Sequence, residues 1–480
     1  MESEGAVDGR PAPRSSVGFV GSVGRWARTG QRRPWGVRLR ARASSAWRTV
    51  TVASAAGSGN VARTTLTTPP FSSSASSSSP PPPPPPPPPQ TRFRFAPPDA
   101  AAAAAASRGA DDWVAVPFPE RLERLLAAGK LDERRGHVLR QWYETYEAAA
   151  RQAAADGVLL EYGCASGDED TVRQWCSEHF ATLFDILVYQ QQHPFHFAPY
   201  HRAVRGPPFD YAAFGNLMSR PLCDLKRSHM DAQSAAVFQR IVEQLQAGDN
   251  VCLLGNHQSE ADPFAIYHMF RHHFGAAGAH LAQSMIYMAG DRVREDPLAA
   301  PFSAGRSMLT VYSRKHMNDE PERRAEKQMH NRRTLKEMER LFSQGGQCVW
   351  FAPSGGRDRR SPATGRVECA PFDADAIELF RLSAARAARA CHYYPMAIGT
   401  FVMMPPPDAV ERDKGESRVV RYAPLWMSLM PELDWAEVEA AAGNGPAASM
   451  SKAEAREARS RYIYERIARQ YQQMGAYDAQ

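Results

Sequence analysis

Residues 255–263 read GNHQSEADP and follow directly on the apolar run 251–254, VCLL. His257 and Asp262 thus stand five residues apart where a buried strand should end. A histidine can take a proton from a substrate when a carboxylate holds one ring nitrogen and leaves the other free. A tight turn brings two such side chains together, which extended backbone cannot do. The same residues also suit plainer roles. Asp262 before Pro263 makes a good helix N-cap with proline in the first helical position, and a histidine in a turn needs no function.

Two further strand ends carry cations. In VYSRKHMND, an apolar run over 308–312 is followed by Ser313, Arg314, Lys315 and His316. In WFAPSGGRDRR, the run 347–352 is followed by Pro353, Ser354, Gly355 and Gly356, which deliver Arg357 and Arg359. Glycines let the chain turn sharply, and guanidinium forks match phosphate oxygens. In an extended loop, positions 357 and 359 face the same side. Each cluster alone also fits a solvated loop. Together, a base candidate beside two phosphate-ready clusters, with no nucleophilic Ser or Cys motif and no metal spacing, suits transfer to a substrate hydroxyl.

The elements that must position these residues are short apolar runs at 251–254, 285–289, 308–312, 347–352 and 394–398, with helical patterns between several of them, notably 322–343. This alternation predicts an α/β domain with a mixed, largely parallel sheet flanked by helices. In such folds ligands bind at the carboxyl edge of the strands. Upstream, Leu122, Leu125 and Leu126, then Val138, Trp142, Tyr146 and Ala149, then the apolar positions from Val172 to Leu187 recur at helical spacing. They predict a small N-terminal helical bundle. The organisation expected is a tail over 1–110, a helical bundle over 111–195 and the α/β domain over 196–480. Residues 193–221, rich in Pro, Phe and Tyr, read as a connector wrapped on a surface. There is no GxGxxG after a strand and no GxxxxGK[ST], so no nucleotide cofactor is signalled.

The tail differs in kind. Between Gly9 and Pro98 there are thirteen arginines and no Asp, Glu or Lys. Ser- and Arg-rich, acid-poor sequence is the composition of an organelle transit peptide; a disordered tail outside any organelle is the other reading. The unbroken proline run at 80–89 reads as a stiff linker. Without residues 1–98 the chain holds 45 basic and 49 acidic groups, so its overall +6 becomes −4 and gives no argument for nucleic acid. Seven cysteines lack any CxxC pattern, which points to a reducing compartment and away from structural zinc. No run approaches the length of a transmembrane helix.

The blocks GNHQSEADP, AGDRVREDPLAAPFSAGR, VYSRKHMND and APSGGRDRRSPATG, with the following APFD and the MPPP at 404–407, resemble the plastid, soluble glycerol-3-phosphate acyltransferases. These form part of the glycerolipid acyltransferase group marked by HxxxxD. The resemblance covers about residues 110–475. Many membrane relatives have glutamate where Ser354 stands, and the plastid branch is similar to this sequence there. The resemblance implies a helical bundle followed by a larger α/β domain. It also implies transfer of a fatty acyl group from acyl carrier protein, with acyl-CoA as the alternative donor, to the sn-1 hydroxyl of sn-glycerol 3-phosphate. His257 and Asp262 become the expected catalytic pair, and Lys315, His316, Arg357 and Arg359 the expected phosphate ligands. No cofactor or metal is expected, and the location implied is the chloroplast stroma after removal of the transit peptide.

Partner surfaces carry less signal. Arg323, Arg324, Lys327, Arg332, Arg333 and Lys336 form a basic-rich helix that suits acidic acyl carrier protein or simply a solvated face. Peripheral contact with the membrane that receives the product is a further expectation. Met403 and Met404 fit an acyl groove or the core. The alternatives are a lysophosphatidate acyltransferase, a thioesterase, and a non-catalytic module binding lipid or carrier protein.

Overall fold

The computed structural model describes residues 116–290, 292–313, 317–318, 320–407, 416–443 and 451–475. The tail over 1–110, with its expected transit peptide and linker, lies outside the described residues, as do Lys315 and His316.

Three helices come first: α1 (Phe118–Ala127), α2 (Glu133–Ala155) and α3 (Glu169–Gln192). Asp132 caps α2 by accepting the Arg135 N–H at 2.8 Å, and Asp168 caps α3 through the Thr171 N–H at 3.0 Å. Their aromatic faces converge on Phe180. Its ring lies 5.2 Å from Phe118, 5.5 Å from Trp142, 5.1 Å from Tyr143 and 5.3 Å from Tyr146.

The chain then forms β1 (Tyr200–His201), α4 (Tyr211–Ser219), β2 (His229–Met230) and α5 (Gln233–Gln246). After these come β3 (Asn250–Gly255), α6 (Asp262–Ser284), β4 (Ile286–Ala289), α7 (Arg292–Glu295), α8 (Ala300–Ala304) and β5 (Ser307–Thr310). Helix α9 (Arg324–Gln344) leads to β6 (Cys348–Phe351) and a small hairpin, β7 (Arg359–Arg360) with β8 (Val367–Glu368). The remainder is α10 (Ala374–Ala385), β9 (Cys391–Gly399), β10 (Trp426–Leu429), α11 (Trp435–Gly443) and α12 (Lys452–Gln473).

Eight of these strands make one sheet in the order β1-β5-β4-β6-β3-β9-β10-β2. The five central strands, β5 to β9 in that order, are all parallel. β1 and β10 pair antiparallel to their neighbours β5 and β9. This is the mixed, largely parallel sheet that the apolar runs predict, and helices cover both faces. Val251 and Leu253 of β3 enter one apolar cluster with the helices α1 to α6, while Cys252 and Leu254 enter the other with α9, α10 and α12. Burial on both sides is why these strands read as unbroken apolar runs.

The N-terminal helices and the sheet share the first of those clusters. Trp142 of α2 lies 6.0 Å from Phe302 of α8, and Phe302 lies 5.9 Å from Phe264 of α6. The segment 193–221 is a surface connector only in part: His193, Pro194, His196, Arg202, Arg205 and Pro207 are exposed, but a strand and a buried helix are built into it. Tyr200 and His201 pair with Leu309 and Met308 at the sheet edge, and Tyr211, Phe214 and Met218 of α4 are buried. A Cβ on Gly215 would stand 2.4 Å from the Phe264 ring, so the missing side chain lets α4 lie directly on α6. Pro194 and Pro207 stay exposed, while the aromatic residues of α4 mark close packing. Phe180→Ala should destabilise the fold by about 3–5 kcal/mol, the cost of removing a buried aromatic ring from such a cluster, read from denaturant midpoints.

Candidate active site

The carboxyl ends of β3, β6 and β9 lie side by side because the three strands are neighbours running the same way. β3 ends at Gly255. A Cβ there would lie 3.0 Å from the Trp350 indole nitrogen and 3.3 Å from the Met396 carbonyl oxygen, so glycine lets the indole sit against the turn. The indole meets the His257 ring edge-on, with centroids 5.8 Å apart.

His257 Nδ1 lies 2.7 Å from Asp262 Oδ2. That oxygen also accepts the Gln258 N–H at 2.8 Å, while Oδ1 accepts the Ser259 N–H at 3.1 Å and the Thr400 hydroxyl at 2.5 Å. Asp262 has no exposed side-chain surface, whereas 26 % of the His257 side chain is exposed. A carboxylate on Nδ1 sets the tautomer with the proton there and the lone pair on Nε2. The base candidate is thus reachable and its partner dry. Asp262 is the first residue of α6 and not its cap; Ala261 holds the N-cap position and makes no side-chain cap bond. The carboxylate turns back to the amides of the preceding turn, which corrects the capping reading, and its charge still suits the helix N-terminus.

The loop after β6 is stitched to this turn. Asp358 N–H donates to the His257 carbonyl at 2.5 Å, and the Asp358 carboxyl accepts from Asn256 at 2.9 Å, Gln258 at 3.3 Å and the Ala370 N–H at 2.8 Å. Asn256 also exchanges two bonds with the Ile398 backbone at 2.9 Å each, and Gln258 Oε1 accepts the N–H groups of Thr400 and Phe401 at 2.7 and 3.1 Å. Burial pushes the Asp358 carboxyl up to about 7 from 3.8, against the hydrogen bonds that favour its charged form.

The expected phosphate ligands divide. The two Glu416 carboxylate oxygens both lie 2.7 Å from Arg357 Nη2, and Glu260 lies 3.7 Å from Arg357 Nη1. Arg359 Nη1 folds back to the carbonyls of Arg357 and Asp358, 3.1 Å from each. Ahead of Lys315 and His316, which lie outside the described residues, Asn331 of α9 accepts the Tyr312 N–H at 2.8 Å and donates to its carbonyl at 2.9 Å. Arg418 meets Glu260 and Asp296 at 2.9 Å each and stacks 5.7 Å from the Trp142 ring centre. Burial alone would raise the Glu260 carboxyl, but Arg418 and Arg357 outweigh it and hold it below its ordinary value.

Sequence reasoning did not find Thr400, Asp358, Glu416 or Arg418. Asp358 lies inside a motif that was in view, between the two arginines. Thr400, Glu416 and Arg418 lie in stretches with no pattern of their own. One secondary reading changes, that of Lys327, and the alternatives given for Met403 narrow to the core. Lys327 is buried, pairs with Glu320 at 3.0 Å and does not contribute to an exposed basic face. Met403 is fully buried in the core, its sulfur 3.8 Å from that of Cys223.

Thr400→Val should cost about 1–3 kcal/mol of stability, because a buried carboxylate loses one donor. It should also lower kcat more than it alters KM, by letting the His257 ring drift; denaturation and steady-state rates check both. For Asp358, the folded state keeps its proton to about pH 7 while the unfolded chain releases it near 3.8. Its contribution is therefore complete at low pH and is lost as pH rises through the folded value. Thermal melts from pH 5 to 8 should show Tm falling with a slope that Asp358→Asn flattens.

The Acyltransferase family model matches residues 237–399, from within α5 to the end of β9. The chain is 37 % identical over 351 residues to the chloroplastic glycerol-3-phosphate acyltransferase of Carthamus tinctorius, covering 73 % of this chain and 70 % of that one. It is 36 % identical over 350 residues to the chloroplastic glycerol-3-phosphate acyltransferase ATS11 of Cucurbita moschata, covering 73 % and 72 %. With the Arabidopsis thaliana chloroplastic enzyme the identity is 38 % over 314 residues, and the match spans 64 % of that relative. The chain belongs to the family of the chloroplastic glycerol-3-phosphate acyltransferases.

Proposed function

We propose that this chain is a glycerol-3-phosphate 1-O-acyltransferase, moving a fatty acyl group from acyl carrier protein to the sn-1 hydroxyl of sn-glycerol 3-phosphate. The observation that carries the reading is the His257–Asp262 pair, 2.7 Å apart, at the same sheet edge as the Arg357 loop. The names of the relatives supply the substrate. His257 Nε2 takes the hydroxyl proton as that oxygen attacks the thioester carbonyl. The tetrahedral intermediate collapses with loss of the carbon–sulfur bond, and the imidazolium returns the proton to the leaving thiolate. Asp262 stabilises the imidazolium and fixes the ring. Lys315, His316, Arg357 and Arg359 are the proposed ligands of the phosphate, holding the hydroxyl at the base. A thioester is already activated, so the reading calls for no metal or cofactor.

The proposed site of action is the plastid stroma after transit-peptide removal. The chloroplastic names of the relatives and the Arg-rich, acid-poor tail support it. Acyl carrier protein is the proposed donor partner, with the exposed Arg332, Arg333 and Lys336 of α9 as the basic face toward it. Peripheral membrane contact is proposed for product delivery. Supplied with acyl carrier protein thioester and glycerol 3-phosphate, the protein should form 1-acyl product. His257→Ala should lower kcat by about 10²–10⁴-fold while still binding glycerol 3-phosphate. Release of free fatty acid alone, whatever the acceptor, would show a thioesterase instead.

A further inference from the structure

Arg357 does not stand open to solvent. Its Nη2 faces both oxygens of Glu416 at 2.7 Å, with the Glu416 side chain 7 % and the Arg357 side chain 12 % exposed. Glu260 lies on its other terminal nitrogen at 3.7 Å. The stretch that bears Glu416 is anchored: Ser417 bonds Gln141, Arg418 Nη1 donates to the Glu416 carbonyl at 3.0 Å, and the Val420 N–H donates to Thr145 at 3.3 Å. Among the described residues, Arg357 and Arg418 are matched by three carboxylates, those of Glu260, Glu416 and Asp296.

We propose that Glu416 determines acceptor specificity by competing with the acceptor's phosphate for the Arg357 guanidinium. This rests on the reading of Arg357 as a phosphate ligand. Both Glu416 oxygens take the same nitrogen, Nη2, so a phosphate that draws on the Nη2 donors displaces the carboxylate from them. The like charges also repel at short range, so a head group settles on Arg357 only as Glu416 withdraws from it. One negative charge on the newcomer merely replaces what Glu416 supplies. Two charges, with further oxygens for neighbouring cations, shift the exchange toward the ligand. Glu416 therefore rejects neutral and singly charged polyols and admits a dianionic phosphate monoester.

The test compares wild type with Glu416→Gln, which keeps the shape and removes the charge. The readouts are KM for glycerol 3-phosphate, inhibition by inorganic phosphate, and turnover of the singly charged glycerol 3-(methyl phosphate). Glu416→Gln should lower KM and the phosphate inhibition constant at least threefold and raise the relative turnover of the methyl ester. Glu416→Asp, which keeps the charge, should retain the wild-type preference. A purely structural pair gives the opposite sign, a raised KM in Glu416→Gln, and that result or no change overturns the proposal. If Glu416→Gln does not fold, Glu416→Ala carries the same expectation, and failure of both to fold overturns it too. Arg357→Ala separates the two levels. An unchanged KM there removes the phosphate role of Arg357 itself, whereas a raised KM with no gain in Glu416→Gln removes the competition alone.

Discussion

A carboxylate with no exposed surface must be met by donors, and Asp262 is the point on which the site depends. Its four bonds come from two places: the turn that follows β3, and Thr400 just past the end of β9. Removing either set leaves a buried charge short of partners, which is costly in a medium that cannot solvate it. The requirement fixes more than one side chain. It demands that β3 and β9 be neighbours in a register that brings Gly255 opposite Met396, so that Thr400 arrives level with the start of α6. The dry aspartate and half-open histidine then follow from one packing arrangement.

The same edge is held from two other directions. Asn256, Gln258 and Asp358 tie the turn, the loop after β6 and the end of β9 into one buried polar network, where each member satisfies others. The N-terminal helices reach it through aromatic contacts, Phe180 to Trp142 to Phe302 to Phe264. They also reach it through the cation of Arg418, which stacks on Trp142 while pairing with Glu260 in the turn after β3. A helical segment remote in sequence thereby becomes a support for the site.

Much of the architecture was legible because it rests on local patterning. Fully apolar runs bounded by turn residues marked β3 to β6 and β9 within a few residues, since strands covered on both faces leave no polar alternation to misread. The pattern failed over 211–221, the second part of a segment whose proline and aromatic residues suggested a surface. There a glycine, Gly215, admits the Phe264 ring and makes α4 part of the core. Asp262 before Pro263 likewise matched a cap by type, yet the helix begins one residue earlier and the carboxylate faces the turn.

By itself, the sequence determined the fold class and set His257 and Asp262 five residues apart at a strand end, while leaving open whether they pair or serve as turn and cap. It also marked Arg357 and Arg359 as cations at a strand end. Only the tertiary structure decided what those groups face: Thr400 on Asp262 across 138 residues, Glu416 on Arg357 across 59, and Asp358 on Asn256 across 102. Such partners are set by strand order and register, which no local spacing encodes. The sequence therefore names the candidate base and the cations, while the fold decides how each is held.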